Sequence, residues 1–129
     1  MIHRRTGMQI VSMRLGNVIA PDMYVNFPAF IHNSFKRKHL LWSYIDARDA
    51  ATACRLAIEA DNLGYVEINV ASNETSMDIE SAELIAREYP EVKDIRENIE
   101  GFQTLLSNKK AKALLNWNPI NSWRDFVEM

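Results

Sequence analysis

Hydrophobic residues fall into short blocks along the chain, and the clearest block is LLWSYIDARDAATACRLAIEA, residues 40–60. Its first part, Leu40–Ile45, is apolar with two aromatic side chains, which favours a β-strand. From Asp46 onward the apolar positions recur at helical spacing instead. The block therefore predicts a strand that runs directly into a helix.

The helix after Asp46 is the element that the pattern predicts most strongly. One apolar stripe contains Ala50, Ala53, Cys54, Ala57 and Ile58, so these five residues are expected to face the core. Asp46 is placed to cap the helix, and Asp49 adds negative charge to the positive end of the helix dipole. Capping explains these two aspartates better than paired acid–base work does. Cys54 is expected to be a small buried hydrophobe.

The pattern predicts three further strands. Met8–Arg14 is mostly apolar, as in a sheet covered on both faces. Tyr65–Ala71 alternates before becoming apolar, and residues 91–98 have room for one short strand.

Three further helical segments are predicted. Residues 22–35 form a short helix that is interrupted near Pro28. Thr75 or Ser76 caps a helix that Pro90 ends, and Ser107 caps one that places Ala111, Leu114 and Leu115 on one face. Asn116 follows it as the left-handed residue. Trp117 is expected in the core, Trp123 either beside it or exposed, and residues 122–129 form a last short turn.

This order of elements fits a single α/β or α+β domain over residues 1–129. The composition is that of an ordinary globular protein, 47% hydrophobic and 25% charged. The net charge of −2 gives no sign of a nucleic-acid-binding protein, and the basic run KRK at Lys36–Lys38 is interpreted as a solvated loop or helix end.

The remaining composition argues against several classes of protein and site. A single cysteine excludes a disulfide framework and a cysteine-based metal site. The three histidines lack zinc-site spacing, so no metal is expected. No apolar stretch is long enough for a membrane span and no signal peptide is visible, which makes the cytoplasm the simplest location.

Three motifs, in order, resemble the C-terminal part of the extended short-chain dehydrogenases/reductases, the NAD-dependent epimerase/dehydratase family. MRLGNVIAP resembles that family's strand ending in Arg-x-x-Asn-Val-x-Gly-Pro, with Ala20 in place of the glycine. WSYIDARDAATACRLAIEA resembles its Tyr-Ile-Asp-Val-x-Asp-Val-Ala unit, and KKAKALLNWNP resembles its Lys-Ala-x-x-x-Leu-Gly-Trp-x-Pro segment. The match covers most of residues 8–119.

The resemblance implies the last strands of a Rossmann-like sheet plus a small α+β substrate lobe. It implies hydride transfer with NAD(P), in epimerisation, dehydration or reduction of a nucleotide-sugar or related substrate. Leu15 and Gly16 match positions beside the nicotinamide end of the cofactor, and Asn17 matches a substrate-contacting asparagine. Residues just past a strand's carboxyl end do line the crevice of open α/β sheets, although Asn17 can equally be a turn residue. Trp42 and Ser43 replace the family's Arg-Asp, whose arginine reaches a nucleotide phosphate.

Two requirements for hydride transfer are not met by the sequence. The phosphate-binding turn needs closely spaced glycines, yet no two of the four glycines lie within eight residues of each other. YPEVK, Tyr89–Lys93, has the letters of the catalytic Tyr-x-x-x-Lys, but Pro90 disfavours the helix that would align them. We therefore expect no catalytic residue, and no cofactor bound by this chain alone.

Two readings remain open. In the first, the chain is the substrate-binding half of an epimerase/dehydratase-type enzyme, inactive without a dinucleotide-binding half that is absent here. In the second, it is a non-catalytic binding module that dimerises through the sheet edge and apolar face a Rossmann half normally covers.

Overall fold

The computed structural model describes residues 7–95 and 98–127. Its strands are β1 (Ile10–Leu15), β2 (Asn17–Ile19), β3 (Tyr44–Asp46) and β4 (Tyr65–Val70). Its α-helices are α1 (Ala47–Glu59), α2 (Ser81–Glu88) and α3 (Lys109–Leu115). Three 3-10 helices span Pro21–Ala29, Lys38–Leu40 and Trp123–Asp125. The predicted α/β class is confirmed.

Two short parallel sheets organise the chain. β1 pairs with β4, with Leu15 opposite Val70, and β2 pairs with β3, with Asn17 opposite Tyr44. Gly16 joins β1 to β2 where the backbones crowd together, since a Cβ added there would lie 3.0 Å from the Tyr44 carbonyl carbon. Packing therefore favours a glycine at this crossing, because a larger residue would force the Tyr44 backbone to shift.

Helix α1 begins where the sequence predicts, with Asp46 as its N-cap accepting a hydrogen bond from the Arg48 amide. Its buried stripe contains Ala50, Ala53 and Ala57. The prediction of a wider stripe is wrong, because Cys54 is exposed and Ile58 is 84% exposed. Both of these side chains adjoin β1 residues in an open apolar cleft of about 530 Å³.

The core is divided into three clusters. The first packs α1 and α3 on β1 and β4 and includes Trp117, as predicted. The second joins the Pro21–Ala29 helix to Tyr44 and Trp123, so Trp123 is buried but lies apart from Trp117. The third surrounds Trp42 and Leu84 near α2. The second and third clusters thus form a lobe of mostly irregular backbone beside the two sheets.

The predicted strand Leu40–Ile45 is only half correct. Residues Tyr44–Asp46 form β3, but Leu41 and Trp42 adopt left-handed backbone angles, φ 51° and 56°. Trp42 is fully buried and its indole N–H donates to the Ser34 carbonyl at 2.8 Å. Burial of this one large side chain in the third cluster decides the local conformation, which an apolar pattern cannot distinguish from a strand.

Several predicted caps and faces also differ. Neither Thr75 nor Ser76 caps a helix, because α2 begins later, at Ser81. Asn108, not Ser107, is the N-cap residue of α3, and Leu114 on that helix is 39% exposed. Residues 91–95 and Asn98 form no strand, while positions 96 and 97 of that predicted strand lie outside the described residues. Asn116 does adopt the predicted left-handed angles.

Candidate functional site

The three residues predicted to line a ligand crevice lie together where β1 passes into β2. Leu15 ends β1 and is 45% exposed, whereas Gly16 is buried and Asn17 is half-buried. The Gly16 amide donates to the Val70 carbonyl at 3.0 Å, so its N–H is already used inside the sheet. Of these three residues, Asn17 is the one whose side chain can form hydrogen bonds with a ligand.

Asn17 faces a guanidinium. In the amide orientation that satisfies both groups, its oxygen accepts from Arg37 Nη2 at 2.5 Å and Nη1 at 3.1 Å. Arg37 also lies over Phe30, with 4.5 Å between the guanidinium carbon and the ring centroid. Burial lowers the pKa of Arg37 below its ordinary value, but an arginine stays protonated at physiological pH. A fixed positive charge therefore lies beside the predicted substrate residue.

A fully buried carboxylate, Asp46, lies at the end of β3. Arg48 donates to it from its amide at 2.8 Å and from Nε and Nη2 at 2.9 Å each, and the Tyr24 hydroxyl donates at 2.7 Å. Burial by itself raises the pKa of Asp46, but the hydrogen bonds from Arg48 and Tyr24 outweigh it and hold the pKa below its ordinary value. Asp46 is therefore a charged structural group and not a general acid.

Two tyrosines near the same strand ends stay protonated. Burial, and then the bond to Asp46, raises the pKa of Tyr24, and burial raises that of Tyr44. The Tyr44 hydroxyl accepts from the Trp123 amide at 3.0 Å. Neither phenol is suited to act as a base near neutral pH.

A larger polar cleft of about 670 Å³ lies beyond the end of β4. Asn73 lines it and accepts from Lys112 Nζ at 2.5 Å and from Asn108 at 3.0 Å. The carboxyl ends of parallel β1 and β4 meet at one edge, which is where ligands bind in open α/β sheets. This edge carries the candidate site.

Comparisons with known proteins place this geometry in context. No protein-family model matches the sequence, and no curated protein matches it significantly. Among solved structures, RMD from Pseudomonas aeruginosa, complexed with NADPH, matches at 17% identity and a TM-score of 0.54, over 95% of this chain and 46% of that chain. A variant of UDP-glucuronic acid 4-epimerase from Bacillus cereus, in complex with UDP-4-deoxy-4-fluoro-glucuronic acid and NAD, matches at 16% identity and 0.53, over 95% and 44%.

The fold is that of the C-terminal portion of extended short-chain dehydrogenases/reductases. The predicted resemblance is thereby confirmed for the fold. The chain spans less than half the length of either solved relative, 46% and 44%.

Tyr89 and Lys93, the first and last residues of the YPEVK motif, do not lie on one helix. Helix α2 ends at Glu88, Tyr89 is its C-cap, and the phenol donates to the Lys38 carbonyl at 2.6 Å. Lys93 lies in exposed irregular backbone. The two side chains therefore share no helical face, as Pro90 in the sequence predicts.

Within the described ranges, no three metal-binding side chains come together. Across residues 7–95 and 98–127, no helix has both the length and the apolar character needed to cross a membrane.

Arg37 is the residue of this site that the sequence analysis missed. The interpretation of Lys36–Lys38 as a solvated loop or helix end is only partly correct, because Arg37 and Lys38 are half-buried. Arg37 lies against Phe30 and Asn17. The sequence did contain one signal, because the three basic residues lie between the aromatic residues Phe35 and Trp42. The pattern does not reveal which of the three turns inward.

Proposed function

We propose that this chain is the substrate-binding portion of an NAD(P)-dependent enzyme acting on a nucleotide-sugar or a related small molecule. The observation that carries the proposal is the shared fold over 95% of the chain with RMD bound to NADPH and with an epimerase bound to NAD and a UDP-sugar analogue. At this level of identity the substrate class is an inference from fold and site together.

The strand-end residues have separate roles in this proposal. Asn17 contacts the substrate through its amide, and Leu15 packs beside the nicotinamide end of the cofactor. Gly16 lets its backbone approach the cofactor closely but offers it no N–H, because that N–H already donates to the Val70 carbonyl. Its lack of a Cβ also leaves room for the Tyr44 backbone, which would lie 3.0 Å from a Cβ at this position.

The proposal assigns no dinucleotide to this chain alone. In Rossmann folds the pyrophosphate lies at a helix N-terminus that directly follows a strand. Helix α1 does follow β3 directly, but the Asp46 carboxylate already accepts the Arg48 amide at 2.8 Å and places a negative charge there. In this proposal the dinucleotide is bound by a second portion, which is part of the same polypeptide or of another chain.

Fluorescence titration of the purified 129-residue chain with NADH and NADPH tests whether the dinucleotide binds elsewhere than on this chain. We expect no saturable binding at micromolar concentration, because the Asp46 carboxylate occupies the N-terminus of α1, the described helix that directly follows a strand. Clear micromolar affinity for either dinucleotide would overturn the proposal. An upstream coding sequence with closely spaced glycines and a helical Tyr-x-x-x-Lys, in frame or in an adjacent gene, would support it.

A second candidate, a non-catalytic module that dimerises, is favoured by the exposed apolar surface of β1 and α1. β1 has β4 on one side and no described strand on the other, and Ile58 and Cys54 are exposed beside it. Light scattering of the chain and of the Ile58→Asp variant tests this candidate, with Val25→Asp as a control at another exposed apolar position. A dimer that dissociates in Ile58→Asp but not in Val25→Asp supports the dimerising module. A chain that stays monomeric at high concentration contradicts it.

A further inference from the structure

The described arginines divide into two groups. Arg14, Arg48, Arg55, Arg87 and Arg124 each lie within 4 Å of a described carboxylate. Arg37 has no described acidic partner, although it is more buried than the exposed, paired Arg55. A guanidinium withdrawn from water without a counter-charge is unfavourable, so the position favours an anion that no described residue supplies.

The contacts of Arg37 are incomplete in a specific way. Its Nε is buried and has no hydrogen-bond partner. Its two Nη groups share one neutral acceptor, the amide oxygen of Asn17. Phe30 supports the guanidinium carbon at 4.5 Å without using any N–H group. Five N–H donors with so few acceptors leave capacity for a ligand with several oxygens.

The backbone that carries Arg37 is held in place. The Arg37 carbonyl accepts from the amides of Leu40 at 3.1 Å and Trp42 at 3.2 Å. Trp42 is anchored in turn by complete burial. This arrangement reduces the entropy lost when a ligand binds.

We propose that Arg37, together with Asn17, binds the phosphate groups of the substrate. This inference rests on the proposed function and adds to it a residue and a ligand chemistry. Arginine is suited to this role because its planar fork matches phosphate oxygens in pairs. A phosphate oxygen takes the place of the Asn17 oxygen, and rotation of that amide presents its NH2 to the same phosphate. Trp42, at the position where the family resemblance leads one to expect arginine, is buried and cannot serve.

Calorimetric titration of the full 129-residue chain with inorganic pyrophosphate and with UDP, at low salt, tests the inference. The Arg37→Met variant is expected to bind both probes at least tenfold more weakly than the wild type. Arg37→Lys should bind with intermediate affinity, because it keeps the charge but loses the fork. Arg55→Met, which removes an exposed arginine paired with Glu59, is the control and should bind as the wild type does.

The outcomes separate this inference from the proposed function. Equal binding of UDP by wild type and Arg37→Met overturns the role of Arg37 and leaves the substrate-binding function in place. Loss of pyrophosphate binding in Arg37→Met, with UDP bound no better than pyrophosphate by the wild type, supports the anion site and contradicts a nucleotide substrate. A wild type that binds neither probe at millimolar concentration overturns both.

Discussion

Asp46 at the end of β3 and Arg37 beside Asn17 of β2 are two charged side chains that differ in how completely the fold surrounds them. Asp46 is fully buried and accepts hydrogen bonds from Arg48 and Tyr24 while capping α1. Arg37 has one neutral amide, one aromatic ring and a buried Nε without a partner. A charge with all its partners supplied stabilises the fold, whereas one with partners missing is available to a ligand. Four experiments test this contrast.

Removing the Asp46 carboxylate should have the largest effect. Asp46→Ala loses the cap of α1 and leaves the buried Tyr24 hydroxyl and the Arg48 guanidinium without an acceptor. We expect the free energy of unfolding to fall by about 3 kcal/mol, the sum of a lost cap and an unsatisfied buried donor. Urea unfolding followed by circular dichroism measures it.

The matched control is Asp61→Ala, at an exposed position just after α1. It should change the stability by less than about 0.5 kcal/mol. Equal effects of the two substitutions would show that Asp46 is not the structural charge described here.

Asp49 tests the same principle without a cation. Its buried carboxylate accepts the amides of Ile120 and Asn121 and the Asn121 side chain at 2.9–3.1 Å. Asp49→Asn turns an NH2 group toward one of these donors and should lower the unfolding free energy by about 2 kcal/mol. Asp22→Asn, at an exposed site, is the control in the same urea experiment, and it should leave the midpoint unchanged.

The pH dependence of stability isolates the charge of Asp46 from its shape. Because its pKa in the fold is held below the ordinary value of 3.8, the unfolded chain takes up this proton first as the pH falls. The stabilisation is therefore complete above about pH 5 and is lost as the pH falls through the folded pKa. Urea midpoints between pH 6 and pH 2.5 should fall less steeply in Asp46→Asn than in the wild type, and parallel curves would contradict the assignment.

The regular part of the fold could be predicted from the sequence, and the irregular lobe could not. Periodicity locates α1 and β4, and the local chemistry of Asp46 and Asn116 locates helix ends, because those signals act over a few residues. The left-handed conformation of Leu41 and Trp42 accompanies the packing of Trp42 against Met77, Ile79 and Leu84, which are distant in sequence. The contact between Arg37 and Asn17 joins residues on either side of the Pro21–Ala29 helix, so no local pattern encodes it.

The smallest expected effect is the one that makes the contrast sharpest. Arg124 and Arg37 are both half-buried, but Arg124 donates to Glu74 at 3.1 Å and to Asp78 at 3.0 Å. Arg124→Met should therefore lower the unfolding free energy by about 1–2 kcal/mol, since two carboxylates lose their partner. Arg37→Met orphans no carboxylate, removes an uncompensated charge and fills the same space over Phe30 with an apolar chain. Its stability in ligand-free buffer should lie within about 0.5 kcal/mol of the wild type or above it. A loss as large as that of Arg124→Met would mean that Arg37 supports the fold, and the phosphate site would then lose its physical basis.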